Sequence, residues 1–412
     1  MSLDASAYRR LDAALAEVDA ELLAEYPGDR GTRQPVHTVY VPADLVGVGL
    51  PGEWGALASA ALDEHLPDAA ALADLLGIAE PLAGEVLPRV RAKLATEPIE
   101  DLRIDFEDGY GPRPDAEEDE AANRAAEVLA ATDLAFCGIR FKSLEPATRQ
   151  RGIHTLDLFL GAMVGNSPLP AGFVLTLPKV THVGQVPAFA DLCTALEQAH
   201  GLAAGTLRFE IQVETPQAIL AADGTAAVAR MVHAGGGRVV GLHYGTYDYS
   251  AACGVAAPYQ SLEHPAADHA KAVMQLAAAG TGVRLSDGSS NLLPVGDAAD
   301  VRTAWRVHAR LVRRSLERGY YQGWDLHPLQ LVTRYAATYA FYRDGMPVAC
   351  DRLRSYLERA ESGVLDEPAT AQGMASLLVR GLQCGALDEA EVTERAGIGE
   401  RELDGFYRRQ VS

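Results

Sequence analysis

"LRFEIQVETPQA" (Leu207–Ala218) holds one structural unit and its joint. Leu207 to Glu214 reads as a short strand, and Thr215 and Pro216 then occupy favoured first-turn positions of a helix. Glu214 falls where the strand ends. The same order recurs along the chain, with strand-like runs at His37–Pro42, Asp101–Asp108, Phe136–Ser143, Gly172–Val180, Leu207–Glu214, Arg238–Asp248, Gly282–Gly288 and Tyr320–Pro328. Between them lie segments of helical composition such as "EEDEAANRAAEVLAAT" and "VRTAWRVHARLVRRSLERG". Eight alternations predict a parallel sheet closed into a (β/α)8 TIM barrel, with an open doubly wound sheet as the alternative. The barrel is favoured because polar groups gather at the C-terminal ends of the runs: Glu107 and Asp108, Arg140 and Lys142, Lys179, Glu214, Asp248, Asp287, then Asp325 and His327. Barrel enzymes collect their chemistry at that rim.

Three helical additions fall outside the eightfold pattern. A helix from Leu3 to about Tyr26 precedes the first strand, and a helical insertion of residues 43–100 follows it, too long for an ordinary connection. The expected division is a catalytic barrel over residues 1–342 and a helical C-terminal extension over 343–412, broken at "ESG", "QCGALDE" and "AGIGE". The last of these helices have the rhythm of a helix-turn-helix, but seven acids against four arginines from Asp388 onward read as a packing cap. The tyrosine run "YAATYAFY" reads as a packed helix face.

The chain's 412 residues can bury a large core. With 36 Lys and Arg against 56 Asp and Glu, the net charge of -20 excludes a nonspecific grip on nucleic acid or anionic lipid. Five scattered cysteines without a CxxC pair fit reduced thiols, and neither a signal peptide nor a spanning segment is legible, so a cytoplasmic protein without membrane contact is expected. "GVGLPG" (Gly47–Gly52) lacks the strand-turn-helix context of a dinucleotide site.

Glu214 can be a helix N-terminal acid or a metal ligand, and Asp248 a turn residue or a second ligand. On adjacent strand ends the two suit Mg2+ or Mn2+ better than Zn2+, since no His or Cys stands beside them. Arg140 and Lys142 share one face, because strand side chains alternate with period two, and Arg140 can clamp a carboxylate or enolate or pair with Asp105 or Glu107. Three acids in "RIDFEDGYGPRP" (Arg103–Pro114) need cations, from Arg103, Arg140, Lys142, Lys179 or a metal. Glu107 and Asp108 are read as holding water on that metal. Lys142 and Lys179 are candidates for a substrate carboxylate. His327, before a proline, either fixes its loop or transfers protons.

"VYVPAD", "RIDFEDGYG", "GIRFKS", "LPKV", "IQVETPQAI", "GTYDY" and "GWDLHPLQ" resemble, in order and spacing, the motifs of the citrate lyase beta-subunit and malyl-CoA lyase branch of the HpcH/HpaI aldolase superfamily. The resemblance implies a Mg2+-binding barrel with Glu214 and Asp248 as ligands, Arg140 on the substrate's oxygens, and Glu107 and Asp108 as the supporting acids. It implies cleavage of a 3-hydroxy acid or its CoA thioester to a 2-oxo acid and an enolate-derived product, in a homo-oligomer for which it suggests a trimer. The base is left open between water on the metal held by Asp108 and a carboxylate of the C-terminal tail. The tail lacks the family's "DG...D" segment. The rival readings are phosphoenolpyruvate chemistry and a non-catalytic, metal-dependent binding subunit on the same barrel.

Overall fold

The computed structural model describes residues 4–166, 168–358 and 367–408. Eight strands, β1 (His37–Pro42), β2 (Asp101–Asp105), β3 (Phe136–Arg140), β4 (Phe173–Leu177), β5 (Phe209–Val213), β6 (Val239–Tyr244), β7 (Arg284–Ser286) and β8 (Gly323–Asp325), run parallel in the order β7-β6-β5-β4-β3-β2-β1-β8. The ring closes between β7 and β8 through a bridge from Ser286 to Gln322 and a 2.8 Å bond from the Asp287 N–H to the Gln322 carbonyl. This is the (β/α)8 barrel expected. All strands but β1 are shorter than the runs that announced them, so most of the polar residues at their ends sit on loops.

Alternation along each strand sends one set of side chains outward to the helices and the other into the barrel. Val39, Leu102, Ile104, Ile139, Leu175, Ile211 and Leu242 form the outward apolar layer and are fully buried. The inward set is polar. Arg103 bonds Asp101 and lies 3.1 Å from Glu210, which also accepts from the Thr176 hydroxyl at 2.6 Å and the Tyr40 hydroxyl at 3.0 Å. Burying such charges unpaired costs several kcal/mol each, so the network has to be complete. Burial opposes ionisation of Glu210, but Arg103 and His243 outweigh it and hold the carboxyl below its ordinary range. Gly138 leaves the space: a Cβ there would lie 1.8 Å from the Val174 carbonyl oxygen and 3.3 Å from the Arg103 side chain.

The N-terminal helix Ala5–Glu25 buries no residue. The insertion forms the helices Leu50–His65, Ala69–Leu76 and Glu80–Thr96 between β1 and β2, and packs on the long helix Gln330–Glu358 that follows β8. That helix runs straight through residue 342, so the expected division at 342 falls inside one continuous element. Tyr335, Tyr339 and Tyr342 are its buried face. The tail continues as Pro368–Gln383, Glu389–Ala396 and Glu400–Tyr407, with breaks at "QCGALDE" and "AGIGE"; "ESG" lies outside the described residues. Val392, Ala396, Leu403 and Tyr407 are buried, as a packing cap requires. Arg380 reaches the Gln34 side-chain oxygen at 2.9 Å and Gln383 the Gly31 carbonyl at 3.0 Å, which seats the tail near the ends where the strands begin. Among the described residues no helix is long and apolar enough to cross a membrane.

Candidate active site

Arg140 closes β3 opposite Asp105, the last residue of β2. Its Nε and Nη2 donate to the two oxygens of that carboxylate at 2.7 and 2.6 Å, and its guanidinium lies 4.8 Å from the Tyr40 ring centroid. The third nitrogen, Nη1, is 3.6 Å from Glu107 Oε2. A bidentate pair on one side and an aromatic face on another fix the plane of the fork.

Asp105 also shapes the loop that follows. Its carboxylate accepts from the backbone N–H of Glu107 and of Gly109, each at 2.9 Å, and a Cβ on Gly109 would come within 2.5 Å of it. The turned loop presents Glu107 and Asp108 to Lys179, whose Nζ lies 2.5 Å from one and 2.6 Å from the other. Burial raises the Glu107 carboxyl despite Arg140 and Lys179, and Asp108 raises it further. Burial also works against Asp108, but there the Lys179 ammonium prevails and the carboxyl falls below its usual range. Lys179 has φ of 50°, in the left-handed region, where a side chain costs about 1–2 kcal/mol. That conformation lets its backbone N–H donate to Glu214 Oε1 at 2.8 Å while its side chain meets Glu107 and Asp108.

Glu214 is 2% exposed. It accepts hydrogen bonds from the Lys179 N–H and from the Gln212 amide at 2.9 Å, and has no basic group within 4 Å among the described residues. Burial, with Arg140 in opposition and Glu107 and Asp248 in support, pushes its carboxyl up to about 8. Asp248 sits in the first turn of the helix Thr246–Ala252 and faces solvent. Gly245 gives Glu214 its place, since a Cβ there would lie 2.8 Å from Oε2. The other end of the Gln212 amide, Oε1, is buried without a partner.

No group of three or more His, Cys, Asp or Glu side chains among the described residues is arranged to hold a metal ion. Two carboxylates, however, are the set by which Mg2+ is ordinarily bound, with water and substrate oxygens filling the remaining positions. Glu214, buried and without a basic partner, has the character of one such ligand, and Asp248 is close enough to raise its carboxyl.

The rim therefore gathers Arg140, Glu107, Asp108, Lys179 and Glu214, with Asp248 exposed at the start of the neighbouring helix, and leaves Lys142 out. β3 stops at Arg140, so alternation no longer applies: Lys142 Nζ turns outward to Glu118 at 2.7 Å and the Phe106 carbonyl at 2.8 Å. Lys179 is bound to two acids and likewise offers no unpaired charge to a substrate carboxylate. Asp287 and Asp325 also face the helices, paired with Lys271 at 3.0 Å and with Arg334 at 2.9 Å. His327 accepts from the Leu329 N–H at 3.2 Å and ties down its loop. The described tail is seated at the other end of the barrel, so its carboxylates do not reach this rim within one chain. Gln212 and Tyr40 escaped the sequence reading. Gln212 stands two residues before Glu214, on the same strand face, and that spacing was the available signal.

A family model described as a domain of unknown function, DUF6986, matches residues 15–411. The chain belongs to that family. No curated protein sequence matches it. The crystal structure of a citrate lyase from Burkholderia xenovorans LB400 superposes on this DUF6986 protein with a TM-score of 0.57 at 20% identity, covering 88% of this chain and 95% of that one. Haloferax volcanii malate synthase superposes with a TM-score of 0.50 at 18% identity, covering 91% of this chain and 97% of that one. The DUF6986 chain thus shares the barrel fold of a citrate lyase, as its motifs led one to expect.

Proposed function

We propose that the protein is a Mg2+-dependent carbon-carbon lyase that cleaves a 3-hydroxy acid, or its CoA thioester, to a 2-oxo acid and an enolate-derived product. One observation carries the reading: at the rim where barrel enzymes work, a buried carboxylate without a basic partner, Glu214, stands among Asp248, Glu107 and a rigidly held arginine. Glu214 and Asp248 are the residues to hold the ion. When bound, Mg2+ supplies a Lewis acid for the oxygens of the 2-oxo acid portion.

The chain's own groups account for the remaining needs. Breaking the carbon-carbon bond of the 3-hydroxy acid converts its C–O–H into C=O, releases the hydroxyl proton, and leaves the electron pair on the other fragment as an enolate. Arg140, oriented by Asp105 and Tyr40, presents Nη1 as the donor for that developing oxyanion. Asp108, 53% exposed and kept ionised by Lys179, is the carboxylate placed to accept the proton. Glu107 neutralises the near side of Arg140 and Lys179. The citrate lyase fold supports the same class of chemistry.

Incubation with Mg2+ and a panel of 3-hydroxy acids and their CoA thioesters, with 2-oxo acid release as the readout, tests this. Release that requires the metal is expected from at least one substrate. Metal-independent release, or none from the whole panel, would contradict it.

A further inference from the structure

Where the strands begin, opposite the rim, the barrel holds a cavity of about 430 Å³. Arg30, on the segment after the N-terminal helix, Arg208, just before β5, and Arg284, the first residue of β7, all line it. None of the three has a carboxylate within 4 Å among the described residues. Arg208 reaches only the Ala171 carbonyl, at 3.4 Å, while Arg284 holds the Thr32 carbonyl and hydroxyl at 2.6 Å each.

The acids nearby are already engaged. Of the other two arginines on the wall, Arg33 pairs with Glu97 and Glu100, and Arg103 with Asp101 and Glu210. Asp29 pairs with Arg380 at 3.1 Å. Asp101 and Glu210 also line the cavity, but both are taken up by Arg103, so in a chain with 56 acids and 36 basic residues three guanidinium groups on one cavity wall without a carboxylate partner are an unusual use of scarce positive charge. Burial, with Arg380 and Arg30 adding to it, draws Arg284 below the ordinary arginine range although Asp29 opposes the shift.

The segment that carries Arg30 is held in position by hydrogen bonds to the chain around β7. A 2.8 Å bond from the Gly28 N–H to the Gly280 carbonyl and a 3.1 Å bond from the Gln34 amide to the Leu285 carbonyl lay the Arg30 segment across the start of β7. Gly282 makes close approach possible there, because a Cβ would meet the Gly28 carbonyl oxygen at 2.8 Å and Arg30 Nε at 3.7 Å. Phe136 and Val174 add apolar wall. An apolar wall beside planar donors that lack carboxylate partners has the makings of an anion pocket.

We propose that this cavity binds a small organic dianion, a phosphate or a dicarboxylate, through Arg30, Arg208 and Arg284, at a site separate from the rim. Calorimetric titration of the full chain with inorganic phosphate and, separately, with succinate, in about 0.15 M NaCl, identifies the head group. Saturable binding of at least one, with one ligand per chain, is expected. The double variant Arg30→Gln, Arg208→Gln should weaken it by about tenfold or more, whereas Glu214→Gln at the rim should leave it unchanged. Arg30→Gln alone, at an exposed position, should weaken it by about threefold and keeps the test readable if the double variant does not fold. Absence of saturable binding by either probe, binding that survives the arginine substitutions, or binding abolished by Glu214→Gln would overturn the proposal.

Discussion

Arg140 is held in place by Asp105 and Tyr40 before any substrate arrives. A lysine at that position could neither span both oxygens of Asp105 nor keep a third nitrogen aimed at the rim. Arg140→Lys is therefore expected to lower the rate of 2-oxo acid release by about 10²-fold or more, the usual cost of losing one oxyanion donor. An unchanged rate would remove Arg140 from the mechanism. Lys179 permits a separate test of backbone strain. Lys179→Gly and Lys179→Ala both lose the contacts to Glu107 and Asp108, but only glycine is at ease at φ of 50°. Denaturant unfolding should find the glycine variant more stable than the alanine variant by about 1 kcal/mol, and equal stabilities would contradict the strain. At this scale the sequence disclosed Arg140, Glu107, Asp108 and Glu214 as a strand-end set. It did not disclose that Lys142 turns away, because face assignment by alternation holds only while the ladder lasts, and the ladder ends two residues earlier.

Strand positions were legible from short runs bounded by turn residues, yet where pairing stops depends on tertiary contacts that no local pattern carries. Asp325 shows the consequence. Read as a rim acid, it instead faces the helices, hydrogen-bonded to Arg334 and His308 with His37 Nδ1 3.0 Å away. Burial opposes its ionisation, but Arg334 and then the two histidines prevail, and the folded carboxyl lies well below the ordinary range. A carboxyl so depressed stabilises the fold above its unfolded value, about 3.9, and the contribution is lost as pH falls through the folded value. Urea unfolding across the range from about pH 5 downward should show stability falling with acid, and a smaller fall in Asp325→Asn. The same substitution should cost about 3–5 kcal/mol near neutral pH, because it leaves Arg334 buried without its counter-charge. A variant with the wild-type acid profile and stability would contradict this account of the cluster.

The whole molecule is a barrel with two unlike ends: acids around Arg140 and Lys179 where the strands finish, and arginines with the tail helices beside them where the strands start. Composition and alternation foretold the barrel and the three helical additions. The expected boundary of the tail is residue 342, whereas the helix continues through to Glu358 with Ala349, Cys350 and Leu353 buried. A chain ending at residue 342 loses those contacts and the tail. Each large side chain so exposed costs about 1.5–3 kcal/mol, and several together rival the typical total of about 5–15 kcal/mol. Calorimetry should find no cooperative transition in that truncation; a transition at the full chain's temperature would instead support a self-sufficient barrel over 1–342.

The central claim is that Glu214 and Asp248 together hold a hard divalent cation, and titration with Mn2+ followed by electron paramagnetic resonance tests it without requiring a known substrate. The full chain is expected to bind one ion, with Glu214→Gln and Asp248→Asn each weakening it by about tenfold or more while Lys142→Gln leaves it unchanged. Equal Mn2+ affinity in the wild type and both carboxylate variants would contradict the claim.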